Sequence, residues 1–407
     1  MSNFDNIVVS IDIGTTKICV IVAKINKQDL QILGVGKSVS HGLKKGVVVD
    51  ISKTVQSIKE AVKEAEFVTG VSIESAIIGV SGGHIQSFNS SGAVPIKRNE
   101  VCQSDIVNVM AAAKAVQIQE GQQILHVLPQ YFSVDSQERV LDPLGMYGVR
   151  LEAQVHIITG SIASVQNLVR CCEMAGVKVT DIILEQLASA EAVLSEDERE
   201  LGVAMLDIGG GTSDFALYQK NGIRHTKVVP IAGNHFTNDI AVGLRTTICE
   251  AERIKHNYGS VLVNSITSDE DIELELIYDK EKSIIQRSYL INIIYARAHE
   301  LLQIVNQEIK NYNLKPFMST GLVLTGGGSL LNGLKELTQD IIGVPVRIGF
   351  PRTENIIFNM LNNPMYSTGY GMLIYMIKKQ NKSIESLNGP LASRIFFRMK
   401  SWVSDFF

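Results

Sequence analysis

The chain is 407 residues long with 45% hydrophobic and 20% charged side chains, enough for about two or three domains with large buried cores, which excludes disorder as its main state. With 38 Lys and Arg against 42 Asp and Glu the formal net charge is -4, so nothing draws the molecule as a whole to nucleic acid. The five Cys fall outside any CxxC spacing and read as reduced thiols of a cytoplasmic protein, and the eight His, with no HxxxH pair, argue against a structural zinc cluster.

The amino terminus, MSNFDNIVVSIDIG, lacks a basic leader and a cleavage site and enters an apolar run that reads as a first strand. Asp12-Ile-Gly-Thr-Thr-Lys17 follows that strand and precedes the β-branched ICVIVAKI, the pattern of a hairpin with a Gly-containing turn. Residues 82–160 run strand (IQSFNSSGAVPI), helix (SDIVNVMAAAKAV) and two strands (ILHVLPQYFSV, LEAQVHIITGS), a compact unit inserted into the surrounding fold. The hairpin pattern returns at Asp207-Ile-Gly-Gly-Gly-Thr-Ser-Asp214, between GVAML and FALYQ, which makes the chain two related halves. Helices are expected over AVGLRTTICEAERIKHNYG, a polar hairpin around VNSITSDEDIELELIYD and a long helix through LINIIYARAHELLQIVNQEIKNY. A third loop, Thr325-Gly-Gly-Gly-Ser329, lies between the strand GLVL and the helical LLNGLKEL. No apolar run approaches the roughly 20 residues a bilayer crossing needs.

An Asp ending a strand, then Gly and Thr on a hairpin, offers backbone N–H groups and a hydroxyl to an anion, while the carboxylate can hold the water shell of Mg²⁺. Glycine at one such turn has a plain alternative in a positive φ, but two facing turns can grip a triphosphate from opposite sides. In the third loop, glycines let the backbone lie flat on a planar ligand at a helix start.

Together the three loops resemble the phosphate and adenosine motifs of the actin, heat-shock chaperone and sugar-kinase ATPase fold. The resemblance implies ATP and Mg²⁺ between two lobes, with Gly14, Thr15, Thr16 and Lys17 on one side and Gly209, Gly210, Gly211 and Thr212 on the other. It puts the purine on Gly326, Gly327, Gly328 and Ser329, and the water-held metal at Asp12 and Asp207. In Ile183-Leu184-Glu185-Gln186, Glu185 matches the carboxylate that helps Asp207 place an attacking water; a surface carboxylate at a helix start is the competing reading. Glu252 and Lys255 match residues that reach the ribose, or are an ordinary i, i+3 pair.

A chaperone would need a substrate-binding region after its ATPase, and no stretch identifies the small-molecule pocket of a sugar or other metabolite kinase. Gly42 to Asp50, the SGGHI run from Ser81, Glu200-Leu201-Gly202 and HTKVVPIAGNHFTNDIAVGLRT from His225 are similar to the FtsA family of bacterial cell-division actin homologues, from about residue 5 to the carboxyl end. The pilus-assembly scaffold PilM is the nearest alternative. The family resemblance implies an α/β actin-like ATPase fold of two lobes with an inserted 1C subdomain and a C-terminal amphipathic helix. Subdomain 1A would take 1–81, 161–200 and 352–378, 1C 82–160, 2A 201–235 and 310–351, and 2B 236–309. It further implies FtsZ filaments tethered to the cytoplasmic face of the inner membrane at the septum, with the FtsZ C-terminal peptide on 2B. Arg287 and Arg297 are candidates to meet that peptide, or are solvated surface arginines. Self-assembly into filaments, later division proteins recruited through 1C, and nucleotide as an assembly switch with at most slow hydrolysis complete the expectation.

The last stretch is LASRIFFRMKSWVSDFF, holding the single Trp of the chain. At about 100° per residue, Leu391, Ile395, Phe396, Met399, Trp402, Val403, Phe406 and Phe407 share an arc of roughly 160°, with only Phe397 among the polar residues. A helix of roughly 25 Å carrying charges is too short to span a bilayer and suits the interface of an anionic membrane. The alternative is a helix docked on its own protein. Residues 379–390, polar and ending in Gly389-Pro390, read as a flexible linker before it.

Overall fold

The computed structural model describes residues 7–26, 29–263, 269–277, 282–352 and 361–387. β1 (Ile7–Ile13) pairs antiparallel with β2 (Lys17–Asn26), and β2 with β3 (Asp29–Val39). A short hairpin of β4 (Leu43–Lys44) and β5 (Val47–Val48) leads into α1 (Ile51–Thr69), which Asp50 starts by accepting from Lys53 N at 3.0 Å and Gly70 ends in the left-handed region at φ 67°. β6 (Ser75–Val80) returns parallel to β1.

The chain then leaves for the inserted unit: β7 (Gln86–Pro95), α2 (Gln103–Lys114), β8 (Gln122–Val134), β9 (Gln137–Val140) and β10 (Arg150–Ser161). Its four-stranded sheet, ordered β7-β10-β8-β9, has its own core around Val109, Phe132, Leu151 and Val155 under α2. The sequence pattern located the helix and long strands; β9 was not anticipated. After α3 (Ile162–Met174), β11 (Lys178–Leu184) completes a sheet ordered β11-β6-β1-β2-β3.

α4 (Glu185–Val193) and α5 (Glu196–Leu201) carry the chain to the second lobe. There β12 (Val203–Ile208), β13 (Ser213–Gln219) and β14 (Gly222–Val229) form an antiparallel meander. α6 (Gly233–Leu244), α7 (Ile248–Tyr258), β15 (Asp271–Glu275), β16 (Lys282–Gln286) and α8 (Arg287–Asn311) follow as a smaller unit. β17 (Leu322–Thr325), α9 (Leu334–Ile342) and β18 (Val346–Ile348) return to the sheet, now ordered β14-β13-β12-β17-β18, and α10 (Ser367–Leu387) is the last described element.

The two five-stranded sheets have one topology: an antiparallel meander with its first strand central, then two parallel strands. That is the internal duplication announced by the repeated Asp–Gly turn. Their central strands IVVSIDI and VAMLDI are buried almost throughout, as expected of strands covered on both faces. α4 and α10 lie between the lobes, crossing so closely that a side chain on Gly371 would overlap Ala188 O, and their apolar faces join Ile21, Ile77, Met205 and Val323 in one core. Small residues at that crossing are a packing requirement.

The inserted unit is also tied to the second lobe. Ser87 Oγ donates to Thr226 O at 2.9 Å, His156 Nε2 lies 2.9 Å from Thr226 Oγ1, and Gln130 Nε2 donates to Ile223 O at 2.9 Å.

Some expected boundaries move. The hairpin placed around residues 263–279 is formed by β15 and β16, so its second strand lies further along, at Lys282–Gln286. A 3-10 turn over Gly327–Leu330 precedes α9, which delays the helix to Leu334. The linker expected at 379–390 is corrected in part: α10 continues to Leu387, because KKQNKSIESL contains no helix breaker, and Lys378 and Lys379 tie the helix to Glu191 and Asp181. The amphipathic segment 391–407 lies outside the described residues.

Candidate functional site

The first turn joins β1 to β2, with Asp12 at the strand end and 8% exposed. Lys17 opens β2; its Nζ donates to Met365 O at 2.6 Å, stands 3.8 Å from Asp12 Oδ2 and lies 4.8 Å from the centre of the Tyr366 ring. The second turn joins β12 to β13, where Asp207 and Asp214 are directly opposed in the ladder, and Gly209 N donates to Thr212 O at 3.0 Å.

The turns face each other. A side chain at Gly210 would overlap Thr16 Oγ1 and one at Gly211 would overlap Thr15 Oγ1, so bare backbone is what lets the loops meet. Thr16 Oγ1 donates to Asn234 Oδ1 at 3.1 Å, and Asn234 N donates to Gly210 O at 2.8 Å, which ties the start of α6 to both turns.

The third loop lies behind Asp207. Gly326 has φ 78°, and a side chain there would strike Asp207 Oδ1 and come within 2.6 Å of Ile208 O. Gly328 is pressed onto the Ile208 side chain, and Gly327 faces open space with only Met365 Cβ at 3.8 Å. Ser329 is buried, and its Oγ donates to Gly326 O at 2.7 Å, so this hydroxyl holds the loop closed.

Carboxylates converge between the turns. Asp207 Oδ2 accepts from Ser189 Oγ on α4 at 2.5 Å and from Thr368 Oγ1 at the start of α10 at 3.3 Å. Asp214 Oδ1 accepts from Ser81 Oγ at 2.7 Å, and its Oδ2 from Thr212 Oγ1 at 3.1 Å. Burial is the largest influence on all four acids and raises each one. It pushes Asp214 up to about 7 and Asp207 to about 6, both against hydroxyl donors that favour the charged form. Asp12 is raised too, opposed by Lys17. Glu185, at the start of α4, is raised well above the carboxylate range by desolvation and then by repulsion from Asp12, Asp214 and Asp207. Beside it Gln186 is fully buried, with neither side-chain amide atom hydrogen-bonded.

The four acids share the cleft with Lys17, the cation acting on Asp12, Glu185 and Asp207, and among the described residues no three or more His, Cys, Asp or Glu are grouped so as to hold a metal ion directly. The facing glycine turns provide the backbone donors that polyphosphate requires.

Glu252 and Lys255 on α7 form an ion pair at 2.7 Å. Lys255 Nζ also donates to Thr237 Oγ1 at 2.9 Å and Gly233 O at 3.4 Å, while Gly233 N donates to Gly209 O at 3.0 Å. The pair is therefore both an i, i+3 pair and one step behind the second turn. Arg287 and Arg297 lie apart from the cleft, and each has an acid within its own unit. Arg287 Nη1 is 3.2 Å from Glu270 Oε2, and Arg297 forks onto Asp239 at 2.5 and 2.9 Å.

Sequence reasoning missed Asp214 as a site residue, together with Ser81, Ser189 and Thr368. Asp214 had a signal: it stands as far after the Gly209–Thr212 turn as Asp207 stands before it, which in a hairpin makes the two cross-strand partners. The three hydroxyls come from separate elements and carried none.

One expectation follows from the Asp214 carboxyl. Its folded pKa of about 7 is above the 3.8 of an unperturbed Asp, so the folded state holds a proton that the unfolded state has released. The associated stability is complete below the unfolded pKa and is lost as pH rises through about 7. Asp214→Asn cannot ionise; between about pH 5 and pH 8 the melting temperature of the nucleotide-free variant should gain several degrees relative to wild type. Melting curves of the two proteins across that range check this, and a pH-independent difference would contradict it.

Comparison with known proteins follows the same lines. The family profile for cell division protein FtsA matches residues 204–371, and that for the SHS2 domain inserted in FTSA matches residues 82–159. Cell division protein FtsA of Pseudomonas aeruginosa is 43% identical over 404 residues, covering 97% of each chain. The Escherichia coli K12 protein of that name is 38% identical over 407 residues, covering 98% of this chain and 96% of its own, and the Bacillus subtilis one 39% over 373 residues, covering 91% and 83%. Among solved structures, a chain of the PilM-PilN type IV pilus biogenesis complex superposes with a TM-score of 0.66 at 17% identity, covering 91% of this chain and 98% of that one. MreB5 of Spiroplasma citri bound to ADP gives 0.58 at 15% identity, covering 94% and 99%. The structural likenesses, at such identities, establish the actin-like fold alone. The sequence relatives establish more: at 38–43% identity across nearly its full length, this chain belongs to the family of bacterial cell division protein FtsA.

Proposed function

We propose that the chain binds ATP with Mg²⁺ between its lobes, and that in this form it tethers FtsZ filaments to the inner face of the cytoplasmic membrane at the division septum. The observation that carries the nucleotide part is the meeting of two glycine turns over three buried carboxylates, Asp12, Asp207 and Asp214, with the half-buried Glu185 beside them. A structural neighbour crystallised with ADP supports it.

Gly14, Thr15, Thr16 and Lys17 hold the phosphates from one lobe, and Gly209, Gly210, Gly211 and Thr212 from the other. Gly326 to Gly328 give a flat surface for the purine, with Ser329 bracing the loop. Lys255, fixed by Glu252, is the group closest to a ribose bound over the second turn. Asp12 and Asp207 would retain the metal through its water shell, and the ion, when bound, would offset the negative charge of phosphates and carboxylates. Glu185, with its raised pKa, positions a water for the slow hydrolysis that resets the switch. Asp214 holds Ser81 across the cleft, so closure around a nucleotide and the joining of the lobes are one event.

The other parts rest on the family and the sequence. The unit from α6 to α8 is the surface for the FtsZ C-terminal peptide, where Arg287 and Arg297 exchange their internal acids for those of the peptide. Self-assembly presents an array to FtsZ, the inserted unit recruits later division proteins, and residues 391–407 lie on anionic lipid.

Calorimetric titration with ATP tests the nucleotide reading. Chelating Mg²⁺ should weaken binding by at least ~tenfold, because the cleft then opposes phosphate with uncompensated carboxylates. A folded protein that binds no ATP in the presence of Mg²⁺ would overturn it.

A further inference from the structure

We infer that Lys45, at the tip of the β4–β5 hairpin, binds the terminal phosphate of the nucleotide and gives the cleft a preference for ATP over ADP; this inference rests on the nucleotide reading above. Lys45 and Gly46 are the two central residues of the hairpin turn, at φ 52° and 75°. A two-residue turn with both φ positive suits Asn-Gly or Gly-Gly. A lysine held in the left-handed region there is a strained choice, which points to a use for its side chain.

The tip lies where the two glycine turns meet. Gly46 N donates to Thr15 Oγ1 at 3.2 Å, and Thr15 Oγ1 is the atom that a side chain on Gly211 would overlap. Gly46 is also pressed onto Ser81, since a side chain there would come within 2.8 Å of Ser81 O. Ser81 Oγ in turn donates to Asp214 Oδ1 and lies 3.4 Å from Thr212 Oγ1 in the second turn. His235, near the start of α6, titrates below its ordinary range, through burial first and then through the charges of Lys45 and Arg297. The Lys45 ammonium is therefore within electrostatic reach of the segment whose Gly233 N and Asn234 N donate to Gly209 O and Gly210 O.

The two ends of the cleft differ in their cations. The third loop meets the second turn at Asp207 and Ile208, and its Gly327 faces Met365. Lys17, with Nζ on Met365 O and 3.8 Å from Asp12, stands at this purine end and is already engaged. The hairpin tip approaches the second turn from the other side, through Ser81 at Thr212 and Asp214. A triphosphate running from the third loop between the turns ends there. Among the described residues Lys45 makes no ion pair or side-chain hydrogen bond, and it is exposed, so its ammonium is free to take that phosphate. Arg297, the other cation acting on His235, is forked onto Asp239. ADP lacks the group that Lys45 reaches, and a charge-assisted bond to it is therefore made by ATP alone.

Calorimetric titration of the full chain with ATP and with ADP, each with Mg²⁺, tests this. Lys45→Ala should weaken ATP binding about tenfold and ADP binding less than about twofold, and Lys45→Arg should keep most of the ATP affinity. Lys44→Ala, one position earlier on β4, should leave both affinities at the wild-type values. An ATP-to-ADP affinity ratio in Lys45→Ala equal to that of wild type would refute the inference and leave the nucleotide site standing. Equal losses for the two nucleotides would assign Lys45 to the inner phosphates, and an equal ATP loss in Lys44→Ala would assign the effect to general charge; either would overturn the inference. If the wild-type chain binds neither nucleotide, the reading of the cleft falls, and the inference with it.

Discussion

Gly210→Asp should lose ATP binding by two orders of magnitude or more while remaining folded. Two effects act together. Any side chain at Gly210 overlaps Thr16 Oγ1, which forces the first and second turns apart and breaks the cradle. The added carboxylate then joins Asp12, Glu185, Asp207 and Asp214, and after burial, repulsion from neighbouring acids already helps raise the last three. Like charges about 4 Å apart in a partly dry cleft oppose each other by several kcal/mol at an effective dielectric near 20. Asp207→Ala should approach the same loss by another route, removing the metal-side carboxylate that Ser189 and Thr368 orient. Equilibrium binding of a fluorescent ATP analogue measures both, with circular dichroism to establish folding. Wild-type affinity in either folded variant would refute the cleft assignment.

The second large effect concerns the tail. Trp402→Glu should weaken binding to anionic vesicles by tenfold or more, and deletion from Leu391 should abolish flotation. On the helical projection Trp402 lies within the apolar arc, between Leu391 and Ile395 and on the same face as Phe396, Met399, Val403, Phe406 and Phe407. Full burial of such side chains is worth about 1.5–3 kcal/mol each, of which at most about half remains after partial insertion and helix ordering. A carboxylate at that position loses its share and meets anionic headgroups. The basic excess of Arg394, Arg398 and Lys400 over Asp405 adds an attraction that should weaken with salt. Flotation of the truncated chain as efficient as wild type would place the anchor elsewhere.

What could be read from sequence, and what could not, divides by range of interaction. The Asp–Gly turns were legible because strand, acid, glycine and strand are contiguous, and their repetition foretold two sheets of one topology. The inserted unit was legible because its strands and helix each carry their own apolar period. Asp207 was found from its turn, but Ser189 and Thr368, which orient it, arrive on α4 and α10 and are brought together only by the packing between the lobes. Ser329 matched a motif, yet its hydroxyl is spent on Gly326 O, a contact that depends on the 3-10 turn. Arg287 and Arg297 looked available because their acids, Glu270 and Asp239, lie on neighbouring elements that the sequence does not pair with them. Residues 379–387 looked like a linker because their polarity gave no apolar stripe, although their helix propensity is good and the helix is seeded by the buried start of α10.

The central claim joins nucleotide, FtsZ and membrane in one molecule, and vesicle flotation with FtsZ tests all three together. With the full chain, ATP and Mg²⁺, FtsZ should rise with anionic vesicles; without ATP, without residues 391–407, or with FtsZ lacking its C-terminal peptide, it should stay at the bottom of the gradient. FtsZ that remains at the bottom in the complete mixture, while the chain itself floats, would contradict the tether.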